Sequence, residues 1–146
     1  MSKDNKVIFI TEAGRKIGLG HLMRSIAVAQ QVKDLRREPF FIVNNDRITV
    51  YMLKRYRFEF TEVLDIKRDY HKYADSLKNI PVLIDAKRDL SHAIKTLQVN
   101  NCKVALVDNL TPAHLLADWL IYPFAHFNPG LLHCKKLKSK VYYGPR

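Results

Sequence analysis

Val7-Ile8-Phe9-Ile10-Thr11, then Glu12-Ala13-Gly14-Arg15-Lys16-Ile17-Gly18-Leu19-Gly20, then His21-Leu22-Met23-Arg24-Ser25-Ile26, is the stretch that decides the fold class. The opening run is continuous and apolar, as a strand covered on both faces of a parallel sheet reads. The glycine-rich segment reads as a loop. Beyond it, Leu22, Ile26, Ala29 and Val32 fall on one helical face, and Gln30, Lys33 and Asp34 on the other. Strand, tight loop and amphipathic helix in this order form the opening unit of a doubly wound α/β domain.

The same alternation continues along the chain. Phe40-Phe41-Ile42-Val43, Val82-Leu83-Ile84, Val104-Ala105-Leu106-Val107 and Trp119-Leu120-Ile121-Tyr122 read as further buried strands, Phe58 to Leu64 as a weaker one, and Val141-Tyr142-Tyr143 as a short last one. Helical spacing marks Asp46 to Tyr56, Tyr70 to Leu77, Leu90 to Leu97 and Pro112 to Ala117. There is no internal repeat, low-complexity segment or flexible linker. The expectation is one α/β domain over residues 1–146. Its sheet should be Rossmann-like, with about five to seven mainly parallel strands and helices on both faces.

Composition narrows the class of protein. Hydrophobic residues make up 47% and charged residues 27%, the balance of a folded globular chain. No apolar run approaches the ~20 residues that span a bilayer, and the first apolar run is too short for a signal peptide, which together predict a cytoplasmic address. The two cysteines, Cys102 and Cys134, have no ligand or redox spacing. His126, His133 and Cys134 cluster late but match no zinc pattern, so neither a metal nor a cofactor is expected. The net charge of +11 asks for anionic partners. It is spread over Arg47, Lys54, Arg55 and Arg57, over Lys67, Arg68 and Lys72, and over Lys135, Lys136, Lys138 and Lys140. No zinc finger, aromatic RNA-binding signature or helix-turn-helix accompanies it, so nucleic acid ranks last. Solvated faces, an anionic substrate, peripheral contact with an anionic membrane or an acidic partner chain rank ahead.

Chemistry concentrates at the first strand–helix junction. Ligands of open α/β sheets bind at the carboxyl edge, where strands end and helices begin. Gly14, Gly18 and Gly20 let the backbone adopt positive φ and approach a ligand closely. The first turn of the helix offers unpaired N–H groups and a partial positive charge suited to an anion. The same field disfavours an imidazolium, so His21 is expected neutral, with a free nitrogen to accept a proton. Arg24 lies one turn on. The glycine order lacks the third glycine of the dinucleotide fingerprint. Asp85 and Asp108 end apolar strands, where a carboxylate either reaches a ligand or, more commonly, caps the next helix. Asp108-Asn109-Leu110-Thr111-Pro112 also suits a turn with proline at a helix's first position. His71, His92 and His114 read as surface residues and Trp119 as core.

Ile17-Gly18-Leu19-Gly20-His21-Leu22-Met23-Arg24 resembles the glycine-histidine-arginine motif of the PseG-like UDP-sugar hydrolases of pseudaminic acid biosynthesis and of the SpsG-like spore-coat polysaccharide proteins. Glu12 falls where those hydrolases carry an acidic residue, usually aspartate. Leu83-Ile84-Asp85, Val107-Asp108-Asn109 and Asp118 resemble later positions of the family, though Asn109 stands where a second acid is expected. Tyr143-Gly144-Pro145-Arg146 resembles the segment leading out of the family's first domain.

The resemblance implies the N-terminal half of a GT-B arrangement, in which a second domain, absent from this chain, holds most of the nucleotide. It implies a UDP-sugar substrate and His21 as general base for attack of water at the anomeric carbon. Glu12, Gly14, Arg15, Gly18, Gly20, Arg24, Asp85 and Asp108 are then the candidate substrate-binding residues. It also implies that the chain alone turns over little or nothing. The alternative is a non-catalytic acceptor- or partner-binding subunit of a split GT-B glycosyltransferase, and the reading frame beyond Arg146 discriminates the two.

Overall fold

The computed structural model describes residues 5–124, 127–132 and 139–144. His126, His133, Cys134, Lys135, Lys136, Lys138, Pro145 and Arg146 lie outside the described residues. Seven strands form one sheet, in the order β3-β2-β1-β4-β5-β6-β7. They are β1 (Lys6–Thr11), β2 (Glu38–Asn44), β3 (Glu59–Val63), β4 (Pro81–Asp85), β5 (Lys103–Val107), β6 (Trp119–Tyr122) and β7 (Lys140–Tyr143). Every pairing is parallel. The helices are α1 (Gly20–Asp34), α2 (Arg47–Arg55), α3 (His71–Ala74) and α4 (Ser91–Val99), with 3-10 turns at Pro112–Leu115 and Pro129–Leu131. This is a Rossmann-like α/β fold.

Two-residue alternation along β1 distributes the core over both faces of the sheet. Phe9 packs with Leu22, Ile26 and Ala29 of α1, with Leu53 of α2 and with Phe41. Its ring stacks on Phe41 at 5.0 Å between centroids, and Phe41 meets Phe58 at 5.1 Å. Ile8 and Ile10 turn the other way and join the cluster containing Tyr73, Ala93, Ile94 and Leu97 of α3 and α4. Covered on both sides, the central strands have no polar face. That is why they read as continuous apolar runs.

Two expected helices are shorter than their periodicity suggests. Tyr70 to Leu77 condenses to the single turn α3, and Pro112 to Ala117 to a 3-10 turn. Trp119 is only half-buried, because it is the first residue of β6 and stands at the amino edge. Helices α1, α2 and α4 end alike. Arg36, Arg57 and Asn101 take positive φ of 59°, 57° and 59°. In each case the next amide reaches back to close the last turn: Arg37 to Val32, Phe58 to Leu53, Cys102 to Leu97. Short returns of this kind trim the amino edge and leave the longer loops at the carboxyl edge. Among the described residues no helix is long and apolar enough to cross a membrane.

Candidate functional site

Strand order reverses direction at β1, whose neighbours are β2 on one side and β4 on the other. The carboxyl ends of β1 and β4 therefore flank a topological switch point, where open α/β sheets leave a crevice. Thr11 pairs with Asp85 across it, and the Thr11 hydroxyl donates to the Asp85 carbonyl at 3.0 Å.

The loop after β1 is closed on itself. Gly14 and Gly18 form an antiparallel bridge, with the Gly18 amide donating to the Gly14 carbonyl at 2.7 Å. Both take positive φ, 142° and 88°. At Gly14 a Cβ would also stand 2.7 Å from Asp46 Oδ2, so the side chain that caps α2 would have to shift. Gly20 does not use the conformational freedom that Gly14 and Gly18 use. It opens α1 with helical geometry and has open space beside it. The Asn44 side chain clamps the loop's root, accepting from the Ala13 amide at 2.9 Å and donating to its carbonyl at 2.8 Å. Arg15 and Lys16 are exposed on the loop.

No side chain caps α1, so the N–H groups of its first turn keep their donors. The neighbouring helix α2 is capped by Asp46, which accepts from Ile48 and Thr49. His21 lies in the uncapped turn and is 7% exposed. Its Nδ1 is 2.6 Å from Asp85 Oδ1, and Asp85 is fully buried. Arg24 grips the same carboxylate at two points, Nε to Oδ2 and Nη2 to Oδ1, both 2.7 Å. Arg24 Nη2 also stands 3.2 Å from His21 Nδ1 and 3.5 Å from Asp108 Oδ2.

These contacts fix the tautomer of His21. A carboxylate only accepts, so at 2.6 Å Nδ1 must carry the proton and donate to Asp85. The approach of Arg24 to Nδ1 is then a neighbouring contact and not a second hydrogen bond. In the neutral ring the acceptor is Nε2, which has no partner among the described residues. The bidentate ion pair holds the Arg24 guanidinium still more firmly protonated, chiefly through its hydrogen bonds to Asp85.

The candidate residues occupy different places in this arrangement. His21, Arg24 and Asp85 touch one another, and Asp108 meets the cluster through Arg24. Asp85 caps no helix; both its oxygens are taken by His21 and Arg24. Glu12 is 3% exposed at the end of β1, and Arg88 Nε reaches its Oε1 at 2.9 Å. Asn109 stands where the family resemblance expects an acid. Its amide donates to the Ala86 and Arg88 carbonyls at 2.6 and 3.0 Å, and its oxygen accepts from Thr111. A carboxylate could not make the two donations. Tyr122 closes the same corner, its hydroxyl donating to the Asn109 carbonyl at 2.8 Å. Burial, with Asp108 adding to it, pushes the Tyr122 phenol up to about 12.

Arg88 is the main residue that sequence reasoning misses. It bridges Glu12 to Asp65, at 2.9 and 2.8 Å, and so ties the loops after β1, β3 and β4 together. Within Lys87-Arg88-Asp89 nothing distinguishes it from a solvated loop residue. Asn44, which clamps the loop after β1, is likewise unmarked in the sequence. Among the described residues no group of three or more His, Cys, Asp or Glu is placed to hold a metal.

Glu12 gives a pH-dependent signature. Burial raises its pKa; Arg88 and His21 oppose the rise and Asp65 adds to it. A carboxyl whose folded pKa lies above its unfolded one stabilises the fold fully below the unfolded value. That contribution is lost as pH rises through the folded value. Glu12→Gln should therefore gain stability relative to the parent as pH rises from the ordinary carboxylate range towards neutral. Urea unfolding of both proteins across that range checks this. A difference that stays constant would show that Arg88 balances burial, and one that moves the other way that Arg88 outweighs it.

No protein-family model, curated protein or solved structure matches the chain.

Proposed function

We propose that this chain is the catalytic-loop domain of a nucleotide-sugar hydrolase or related glycosyltransferase of surface polysaccharide or glycan biosynthesis, with a UDP-sugar as substrate and His21 as general base. One observation carries the proposal. His21 Nδ1 is committed to buried Asp85, which leaves Nε2 as the acceptor, on the uncapped first turn of α1 at the switch point of the sheet. A positioned base oriented by a carboxylate is the arrangement that proton abstraction from water or a hydroxyl requires.

The chemistry balances with these groups alone. Water attacks the anomeric carbon, the bond from that carbon to the diphosphate oxygen breaks, and the diphosphate leaves with the electron pair as UDP. The water proton passes to His21 Nε2. The first-turn amides of α1 and Arg15 favour the anionic leaving group by charge and by the helix dipole. Arg24 Nη1 has no partner among the described residues and is left to donate a hydrogen bond to the leaving group. A second domain or a partner chain supplies most of the nucleotide binding, as the motif resemblance implies.

The test is an NMR titration of the isotope-labelled chain with a UDP-sugar at millimolar concentration. The amides of Gly18 to Met23 should shift, and the His21 ring should show the Nδ1–H tautomer with its Nε2 resonance moving on binding. An Nε2–H tautomer, or shifts confined to other parts of the sheet, would overturn the proposal.

A further inference from the structure

We propose that the pocket walled by Lys87, Asp108, Leu110 and Thr111 is the sugar subsite of this centre, and that it holds a vicinal pair of hydroxyls between the Asp108 carboxylate and the Lys87 ammonium. The inference rests on the nucleotide-sugar assignment of the His21 edge and names what recognises the sugar.

The pocket measures ≈ 450 Å³ and lies between the loops that follow β4 and β5. That is ample room for one hexose ring. Asp108 joins the pocket to the catalytic cluster, since its Oδ2 is 3.5 Å from Arg24 Nη2, which in turn stands 3.2 Å from His21 Nδ1. The pocket therefore adjoins the cluster through Asp108 and Arg24.

The walls are built in advance. Asn109 binds the Ala86 and Arg88 carbonyls on one loop and both the amide and the hydroxyl of Thr111 on the other. Asp108 itself takes a φ of 49°. Arg36, Arg57 and Asn101 take the same conformation where helices end, and Asn79 takes it just before β4. Asp108 alone among these five follows a strand at the carboxyl edge, where no helix end demands the turn. A left-handed residue here fixes the direction in which the Asp108 side chain leaves the loop.

The chemistry of the wall selects the ligand class. The Asp108 Oδ1 atom and the Lys87 ammonium have no partners among the described residues, and the Asp108 side chain is 24% exposed. One acceptor beside one donor is the complement of a hydroxyl, which gives one hydrogen bond and takes another. The two lone pairs of Asp108 Oδ1 accept from two adjacent hydroxyls, and the ammonium donates to their oxygens. Leu110, 52% exposed, offers an apolar surface to the C–H face of the ring.

The experiment measures Kd from proton–nitrogen spectra of the full chain with UDP-glucose, UDP-galactose and UDP. Glucose and galactose present their vicinal hydroxyls in both relative configurations. Lys87→Met and Asp108→Asn are compared with the parent. One of the two sugars should shift the amides of Lys87 to Thr111 as well as those of Gly18 to Met23, while UDP shifts only the latter. Each variant should weaken that nucleotide sugar roughly tenfold, as loss of one hydrogen bond to a charged group does, and Lys87→Met should leave UDP unchanged. Lys87 touches no member of the His21 cluster, so its variant reads the pocket alone. Shifts at Gly18 to Met23 with none at Lys87 to Thr111 overturn the subsite and leave the catalytic assignment standing. No shift in either stretch overturns both. UDP moving Lys87 to Thr111 as strongly as the sugars gives the pocket to the ribose diol and overturns the sugar assignment, as does unchanged sugar affinity in both variants.

Discussion

His21→Asn should lower turnover of nucleotide sugar by roughly 10²–10⁴-fold, the usual contribution of a positioned general base. The comparison belongs in whichever protein turns the sugar over, this chain or a longer one containing it. Asparagine keeps the site polar and of similar size, and its amide can still donate to Asp85, so the fold should persist. It cannot take a proton from water at the place of Nε2. Nucleotide affinity should change far less than the chemical step, because the ring is engaged most strongly when the proton moves. A purely structural histidine would behave in the opposite way, losing about 1 kcal/mol of stability, on the scale of a helix cap, with its rate per folded molecule intact. Single-turnover rate and melting temperature on the same variant separate the two. A variant that melts earlier but hydrolyses as fast as its parent returns His21 to the scaffold.

Asp85→Asn should damage both properties. Asp85 is fully buried, and it accepts from His21 and twice from Arg24. Removing its charge leaves the Arg24 guanidinium with only the more distant Asp108 carboxylate, 3.5 Å away, as counter-ion. Breaking a buried pair from one side costs about 3–5 kcal/mol. The low end applies here, because the Arg24 side chain is 25% exposed and water relieves part of the penalty. For a chain of this size each kcal/mol lowers Tm by roughly 2–4 °C.

The rate should fall further than the stability explains. An amide can turn its NH₂ to the ring and hold the wrong tautomer, with the proton on Nε2. In a Ser-His-Asp triad that exchange costs about 10⁴-fold. Adding Arg24→Gln to Asp85→Asn should recover part of the lost stability, since the stranded charge goes too, without recovering the rate. Recovery of both together would mean that Asp85 serves only to neutralise Arg24.

The strands and the apolar face of α1 were legible because each is written in neighbouring residues. Val7 to Ile10 is apolar on every side, and Leu22, Ile26 and Ala29 repeat at helical spacing. Positive φ at Gly14 and Gly18 was allowed by residue type. Gly20 does not take it, because glycine permits positive φ without requiring it.

What the sequence hid is long-range pairing. Asp85 lies 64 residues from His21, and the question of cap or ligand could not reveal that its carboxylate faces inward to a histidine and an arginine. The roles of Arg88 and Asn109 depend on loops that come together only when β1, β4 and β5 are aligned. The length of α3 was overestimated for a related reason. Tyr73 and Ala74 pack into the core and Tyr73 donates to the Ile66 carbonyl at 2.8 Å, so tertiary contacts end the helix after one turn.

The winding of the sheet has a consequence for how the protein is made. The chain starts at the sheet's centre, fills one flank with β2 and β3, and only then crosses to lay β4 against the free side of β1. His21 and Arg24 therefore leave the ribosome well before the carboxylate that arranges them. In the interval, two helices and three strands can collapse around Phe9, Phe41 and Phe58, while the guanidinium of Arg24 stays hydrated for want of a partner. Pairing of β4 with β1 is what brings Asp85 to His21 and Arg24, and in the finished sheet it is fully buried with both donors against it. A nascent chain halted before Asp85 carries the whole glycine-histidine-arginine signature and none of the order that gives it chemical meaning.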